Sequence, residues 1–564
     1  MRVARRLMCL AFLMATVFSG GCANSLRQWA HNGFKVGPNY CKPAAPVESQ
    51  WIDFQKDPRV SADQVDTSCW WNTFNDPKLE GLVALASRQN LTLRAAGARI
   101  CQAQALRGIA AGNLFPQLQD FTGDYNRIQL SKNVANRQGD TNFDEWGTGF
   151  NLSWELDFWG RFRRAIEAAD ATLDASIEDY DDVLVILLSE VATSYVEVRT
   201  YQERLRLARE NVESQQKTLK VAQLRFDSKV ISKLDLLQVQ DNVAQSKALV
   251  ESLKNGLRQN NNALCVLLGI PPRDLTHEPL VGDGQIPTAP AEVALGIPAD
   301  LLRRRPDVRR AERLVAAQSA RIGVAESELY PHFSINGVLR WESRSFDNVL
   351  SPDSTAGAVG PAFAWNILNY GRITNAVREE RARFEELVYL YQDAVLKAAG
   401  ETEDAIVGFV TSQDQQVHLH DSVEAISEAE RLCLLEAEQG GRDYNRVYVI
   451  QFRKTSEEDD WAVSKGDIAL NLIRIYRALG GGWQIRLADP CVPDLDVAER
   501  LAEVVVADAR GKASPANPRG YCDDYCGKPM PNLCWPAARA GYSCGGSACC
   551  SDATGPRISG RVSR

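Results

Sequence analysis

The chain has 564 residues, 45% of them apolar and 24% charged, and a formal charge of −8 that becomes −11 once the three arginines of residues 1–21 are set aside. That length could hold several ordinary domains, yet it contains no apolar run long enough for a transmembrane helix in the mature chain. The acidic balance excludes nucleic acid as the natural partner. Residues 1–21 read as a bacterial export signal: Arg2, Arg5 and Arg6 precede an apolar stretch from Leu7 to Phe18, and Ser19-Gly20-Gly21 place small residues before Cys22. An ordinary cleaved signal followed by a chance cysteine fits the same residues.

Beyond an N-terminal segment over 22–77, the chain states one block twice. Leu114-Phe115-Pro116 returns 215 residues later as Leu329-Tyr330-Pro331, while Trp154 with Gly160-Arg161 returns 211 residues later as Trp365 with Gly371-Arg372. Gln240 and Gln451 keep the second spacing. Anchors that hold their spacing across most of a chain mark a duplicated unit. The first block, 78–270, predicts a helix, strands over about 117–130 and 147–159, a very long helix over 161–226 and a return helix over 234–268. Pro- and Gly-rich residues 271–300 read as a linker. The second block, 301–486, repeats the order with strands over about 333–341 and 358–369, a long helix over 373–438 and a return over 447–479. Residues 487–564 form an extension, with one amphipathic helix over 494–509 and a cysteine-rich tail.

The strands alternate. Phe150, Leu152, Trp154, Leu156 and Phe158 share one parity against Asn151, Ser153, Glu155 and Asp157. Phe333, Ile335, Leu339 and Trp341 alternate with Ser334, Asn336 and Arg340, and Phe363 and Trp365 continue the pattern. A soluble sandwich explains any one of these strands. It does not explain two hairpins embedded in helical sequence with no other strands to pack against. A transmembrane strand of about 9 to 11 residues, apolar toward lipid and polar toward a lumen, explains all of them. Four strands cannot close a barrel and lipid tolerates no open edge, so several chains must share one barrel.

The long helices set a second limit. A helix over 161–226, free of Pro and Gly, spans about 100 Å and cannot be buried in a compact core. It needs long neighbours, and Val183, Ile186, Leu187, Val191, Tyr195 and Val198 recur at the three-and-four spacing of a coiled-coil seam. A cytosolic coiled-coil scaffold conflicts with the export signal and the strands.

Chemistry is absent from the motifs. Of 14 cysteines, Cys522, Cys526, Cys534, Cys544, Cys549 and Cys550 crowd the last 43 residues. In an exported chain they read as disulfides whose pairing stays open, rather than as a zinc site, since the Cys522 to Cys526 spacing is loose and no His lies nearby. Cys101, Cys265 and Cys433 read as small buried helix residues. No catalytic, cofactor or metal site emerges: His418 and His420 point different ways on a helix, and no Gly-rich phosphate loop follows a strand. Glu155 and Asp157, two apart on one strand face, read as lumen-facing polar groups rather than a catalytic pair.

Several motifs carry a family resemblance. The leader up to Cys22 resembles a lipoprotein signal, which implies acyl chains such as palmitate on Cys22 and, with Ala23 next, sorting to the outer membrane. Lys35-Val36-Gly37-Pro38-Asn39-Tyr40 and Trp70-Trp71-Asn72-Thr73-Phe74-Asn75-Asp76-Pro77-Lys78-Leu79 resemble the start of TolC-type outer membrane factors, the NodT-like lipoproteins of tripartite efflux systems. Leu302-Arg303-Arg304-Arg305-Pro306-Asp307-Val308, Ala311-Glu312, Ile322-Gly323-Val324-Ala325 and Tyr330-Pro331 resemble the start of that family's second repeat. The match runs over residues 22–485.

The resemblance implies an α+β membrane protein. Three identical chains, each giving four strands, would form a twelve-stranded outer-membrane β-barrel continuous with a long periplasmic α-helical barrel. The assembly would be a passive duct, with no catalysis or cofactor of its own. Its partners would be a periplasmic adaptor protein, an inner-membrane pump of the resistance-nodulation-division type and outer-membrane lipid. A duct for type I protein secretion, or a non-conducting envelope-spanning scaffold, are the alternatives.

The periplasmic tip is implied at the two helix-to-helix turns. The first carries Lys229 where the family has Gly, and the second is Gly440-Gly441-Arg442-Asp443-Tyr444. Arg446 and Val449 stand where relatives carry an inward carboxylate ring. Asp235 and Arg442 occupy the places that relatives use for an ion pair holding the entrance shut.

Overall fold

In the computed structural model, residues 29–52, 57–61, 63, 66–131, 133, 140–438 and 445–487 are described. The helices begin where side chains can take up the unpaired N–H groups of a first turn. Asp76 accepts from the amides of Lys78 at 2.9 Å and Leu79 at 3.4 Å, and Pro77 fills the first position of α1, Pro77–Gln89. Asn90 accepts from the amide of Leu93 at 2.9 Å to start α2, Leu91–Gly112. After two strands, α3, Arg161–Asp227, runs for 67 residues, about 100 Å, and α4, Lys233–Leu267, returns over 35. A short turn, α5, Leu301–Arg304, leads into α6, Pro306–Ser327. Two more strands follow, then α7, Arg372–Glu438, again of 67 residues, and α8, Asn445–Ala478, of 34. The helices preceding each strand pair, α2 and α6, are both 22 residues long, so the sequence duplication survives as a duplication of lengths.

α3 is the common neighbour: α1, α2, α4, α6 and α8 all pack on it. The main core lies midway along the bundle. There Trp70, Trp71, Leu79 and Leu82 meet Leu188 and Tyr195 of α3 and Tyr391, Phe409, Leu472 and Tyr476 of the second helical hairpin. Trp70 stacks on Tyr476 with ring centroids 5.4 Å apart. Each such side chain contributes about 1.5–3 kcal/mol of burial, so this layer fuses the two halves. A smaller core at the far end joins Ala222, Leu236 and Val239 to Cys433, Ala437, Val447 and Tyr448. Between the two, the α3–α8 seam is polar. Arg204 pairs with Asp459 at 2.7 Å, Asn211 donates to Glu458 at 2.7 Å, and Gln451 donates to Thr218 and Glu430, both at 3.1 Å. Satisfied buried polar pairs fix register more than they add stability.

The motifs that carry the family resemblance are ties between segments. Arg164, buried on α3, donates to the carbonyls of Val36 and Gly37, both at 3.0 Å, and to Asn39, while Tyr40 and Lys42 reach Glu312 at 3.1 and 2.8 Å. Gly37, at φ 83°, abuts Gly323 of α6, where a Cβ would collide with backbone. Arg305 donates to the carbonyl of Ala478 at 3.0 Å, Arg309 pairs with Glu178 at 2.6 Å and stacks on Trp483, and Arg486 pairs with the buried Asp181 at 2.6 Å. Burial pushes Glu178 and Asp182 in this layer up to about 6, despite the arginines beside them.

A two-stranded parallel sheet, β1, Val60–Ser61, with β4, Val293–Ala294, ties the N-terminal segment to the linker. The main sheet is antiparallel in the order β2, Leu118–Gln129; β3, Asn142–Leu156; β5, His332–Ser343; β6, Thr355–Ala364. The two hairpins are therefore not isolated, because β3 pairs with β5 over eleven positions from Trp146↔Ser343 to Leu156↔Phe333. β3 begins earlier than the sequence reading and ends at Leu156 rather than 159, and β6 covers 355–364 rather than 358–369. The reason at β3 is Asp157, which leaves the strand to accept from the amides of Phe162 at 3.0 Å and Arg163 at 3.1 Å and caps α3. Asp157 is thus a helix cap and not a lumen-facing strand residue. Cys69 and Cys101 are disulfide-bonded, which corrects the reading of Cys101 as a plain packing residue; Cys265 and Cys433 are buried.

Candidate functional site

Cross-strand register decides what each face of the sheet offers. Directly paired residues share a face. The rows Phe121–Phe150–Leu339–Gly357 and Gln119–Leu152–Gly337–Val359 lie on the same face as Trp154–Ile335–Pro361 and Leu156–Phe333–Phe363. Trp341, opposite Thr148, completes it. The opposite face carries Asp120–Asn151–Val338–Ala358 and Ser153–Asn336–Gly360. One side is therefore mainly aromatic and aliphatic, interrupted by Gln119 and Thr148, and it is open: Phe150 is 53% exposed and Phe363 72%. A sheet with such a face in water would be an aggregation hazard; facing lipid it is satisfied.

Aromatic rings bracket that face at both ends. On the loop side Tyr125 lies 4.3 Å from Trp146, which lies 5.0 Å from Phe346. On the helix side Trp29, Phe34, Phe158, Trp159, Phe333 and Tyr330 form one chain of contacts, with Trp29 5.2 Å from Phe158 and Trp159 4.5 Å from Tyr330. Amphipathic rings at both borders of an apolar band are the pattern of a membrane strand set. Most of these rings escape period-two reading because they sit just outside the strands. The duplicated anchors meet here too: the indole of Trp154 donates to the carbonyl of Leu114 at 3.2 Å, and that of Trp365 to Leu329 at 3.1 Å. On the polar face Arg340 lies across Gly147 and Gly149, where a Cβ would collide with it, to reach Asp124 at 2.6 Å and Glu342 at 3.1 Å.

At the opposite end of the long helices, the first turn is a Schellman motif. The amide of Val230 donates to Arg225 and that of Lys229 to Phe226, both at 2.8 Å, with Lys229 at φ 58°. Lys229 thus fills, under strain, a left-handed position of the kind glycine takes most easily. α4 starts with a capping box: Asp235 Oδ2 accepts from the Ser232 amide at 2.9 Å and hydroxyl at 2.8 Å, while Ser232 Oγ accepts from the Asp235 amide at 3.2 Å. The tip exposes Val230, Leu234, Leu237, Val449 and Phe452, and Arg446 is exposed beside them on α8. Arg442, Asp443 and the rest of the second turn lie outside the described residues, as do Cys22 and the six tail cysteines.

Among the described residues no helix is long and apolar enough to cross a membrane, and no three metal-ligating side chains gather. Glu155 is engaged with Arg161 at 3.2 Å and His332 at 2.8 Å, and His420 stacks on Trp461.

The model of the family described as "Outer membrane efflux protein" matches residues 82–270 and 297–481. Nodulation protein T of Rhizobium leguminosarum bv. trifolii is 30% identical over 409 residues, covering 72% of this chain and 86% of that protein. The pyoverdine export outer membrane protein OpmQ of Pseudomonas putida is 31% identical over 424 residues, 74% of this chain and 88% of its own. Among solved structures, the outer-membrane channel OprN superposes with a TM-score of 0.73 at 30% identity, over 80% of this chain and 99% of that one. The Campylobacter jejuni CmeC outer membrane channel, 22% identical, shares the fold at a TM-score of 0.73 over 79% and 95% of the two chains. With its duplicated hairpins, its one-sided membrane sheet and both halves matched, the chain belongs to the outer membrane efflux protein family and is an efflux channel of the outer membrane with a periplasmic helical extension.

Proposed function

We propose that three copies of the chain close their sheets into one twelve-stranded barrel, continuous with a tube of the long helices, and that this trimer is the passive exit duct of a tripartite pump. The observation that carries the reading is the sheet itself: among the described residues β2 and β6 each have a neighbour on one side only, beside a face that suits lipid. Open edges are not tolerated in hydrocarbon, so the edges must find other copies. Relatives named for pyoverdine export and for toluene efflux support a small-molecule cargo. The energy comes from an inner-membrane pump of the resistance-nodulation-division type, through a periplasmic adaptor that meets the tip. Purified protein in a planar bilayer should give discrete pore currents; a trimer without conductance would leave only a scaffold.

Three local readings belong to this proposal. Cys22 is the acylated N-terminus. Trp29, seven residues on, already sits in the helix-side aromatic border, and seven residues reach at most about 24 Å, so palmitate on Cys22 can enter the same leaflet. Mass spectrometry of the mature protein should find lipid there; an unmodified terminus at another residue refutes it. The tail cysteines are disulfide-bonded, in keeping with the oxidised Cys69 and Cys101.

The third concerns the closed tip, held by an Asp235 to Arg442 pair. Asp235 also caps α4, so Asp235→Ala removes two interactions and Arg442→Ala isolates the pair. An exposed pair is worth about 0–1 kcal/mol, and three copies bias a gate by roughly 3 kcal/mol at most. Arg442→Ala should raise the open fraction in single-channel records; parental conductance would place the gate elsewhere.

A further inference from the structure

The joint at which strands become helices is built differently in the two halves. In the first, Gln117 Nε2 donates to the carbonyls of Asn113 at 2.8 Å and Glu155 at 3.2 Å, and its Oε1 accepts from the Glu155 amide at 2.7 Å. In the second, the ring of His332, the first residue of β5, stands between two carboxylates. Its Nδ1 is 2.8 Å from Glu155 Oε1 and its Nε2 is 3.4 Å from Glu328 Oε2. Arg161, the first residue of α3, reaches the same two acids at 3.2 and 3.3 Å.

The duplication provides an internal comparison. Asn113 precedes Glu328, and Gln117 precedes His332, by 215 residues; Asn366 follows Glu155, and Arg372 follows Arg161, by 211. Both acids and the histidine therefore have amide counterparts, while the arginine is kept. At this level both halves also hold the same Trp indole to Leu carbonyl hydrogen bond. In the first half Gln117 is held by backbone groups, whereas in the second His332 meets carboxylate side chains, so only the second joint carries titratable groups around its ring.

We propose that His332 is a proton-operated clamp between the membrane sheet and the helical bundle, closed when the ring is protonated. With both ring nitrogens protonated, His332 donates from Nδ1 to Glu155 and faces Glu328 as an ion pair from Nε2, and the group of two carboxylates, one guanidinium and one imidazolium is neutral. With one proton lost, a ring lone pair faces a carboxylate and the group carries one net negative charge. The charged groups facing the ring are Glu155 from β3, Arg161 from α3 and Glu328 from the end of α6; Ala364, its partner on β6, adds none. Acidification supplies the proton that closes the clamp. The clamp joins β3 of the first hairpin to β5 of the second and both to α3. Acidification therefore stiffens the sheet where its two hairpins meet.

Hydrogen exchange on the full-length protein in detergent tests this, read as protection factors for amides 153–157 and 332–336 at pH 7.5 and 5.5. Protection in the parent should rise several-fold on acidification, and His332→Gln, which copies Gln117, should lose that rise while keeping its pore currents. Glu328→Asn, which copies Asn113, should lose it too and decides the matter if the first variant does not fold. A parent equally protected at both pH values, or variants that keep the parental rise, overturns the proposal.

Discussion

Replacing Leu152 by lysine puts a charge on the apolar face of β3, and the strand's geometry sets the cost. From Trp146 to Leu156 that face runs about 33 Å at about 3.3 Å per residue, which at a tilt of roughly 40° rises about 25 Å, the height of a barrel's apolar band. Leu152 then lies about 15 Å from the Trp146 end and about 10 Å from the Leu156 end, close to the bilayer midplane. A lysine at that depth costs about 2–4 kcal/mol, a roughly 30- to 1000-fold loss in folded ratio per chain. Ser153→Lys, one residue away, points to the polar face. It loses the Ser153 to Asn336 hydrogen bond of 2.8 Å, about 0.5–1.5 kcal/mol, and leaves its ammonium among polar groups. The assay is urea titration of folding into phospholipid vesicles, with the yield of detergent-resistant oligomer as a second reading. Equal losses at the two positions would mean that the alternation is a soluble core pattern and that the sheet does not face lipid.

Three further outcomes follow from single interactions. Lys229→Gly relieves a left-handed residue in the Schellman turn, and should stabilise the tip by roughly 1 kcal/mol, seen as slower exchange of the Val230 amide. Asp182 has its pKa raised to about 6, chiefly by burial and then by Asp307, so its contribution to stability is full below about pH 4 and lost as pH rises through 6. Asp182→Asn should therefore raise the free energy of unfolding at pH 7.5, by up to about 3 kcal/mol, and change it little at pH 4, as read from denaturant titrations at the two pH values. Trp154→Phe and Trp365→Phe each remove one indole to carbonyl bond from equivalent places and should cost a similar 0.5–1.5 kcal/mol or so in vesicle folding; a large asymmetry would show that the two joints are not equivalent.

Much of the fold is legible in the sequence because its signals are local and long. The absence of Pro and Gly from 161–226 anticipates a helix that runs from Arg161 to Asp227, and period-two alternation anticipates strands at 118–129 and 332–343. What is not legible is pairing at a distance. Nothing near Trp154 says that its strand partner is Ile335, or that its indole seeks the Leu114 carbonyl, although both anchors were visible as repeats. Asp157 continues the strand's parity and so reads as strand, whereas its carboxylate serves the first turn of α3. Arg305, just before α6, belongs to a family signature whose physical purpose, closing α8 through the Ala478 carbonyl, appears only when the two halves are packed, as does the meeting of Arg309 of α6 and of Arg486 with acids on α3.

The central claim is that edges β2 and β6 are completed by other copies of the same chain. Single cysteines placed on both edges, one on β2 near Phe121 and one on β6 near Val359, lie at opposite margins of one sheet and are too far apart to join within a chain. Oxidation of the doubly substituted protein in native membranes should yield covalent dimers and a closed trimer, with nothing larger. Monomer alone, or an open ladder running beyond three, would contradict the account.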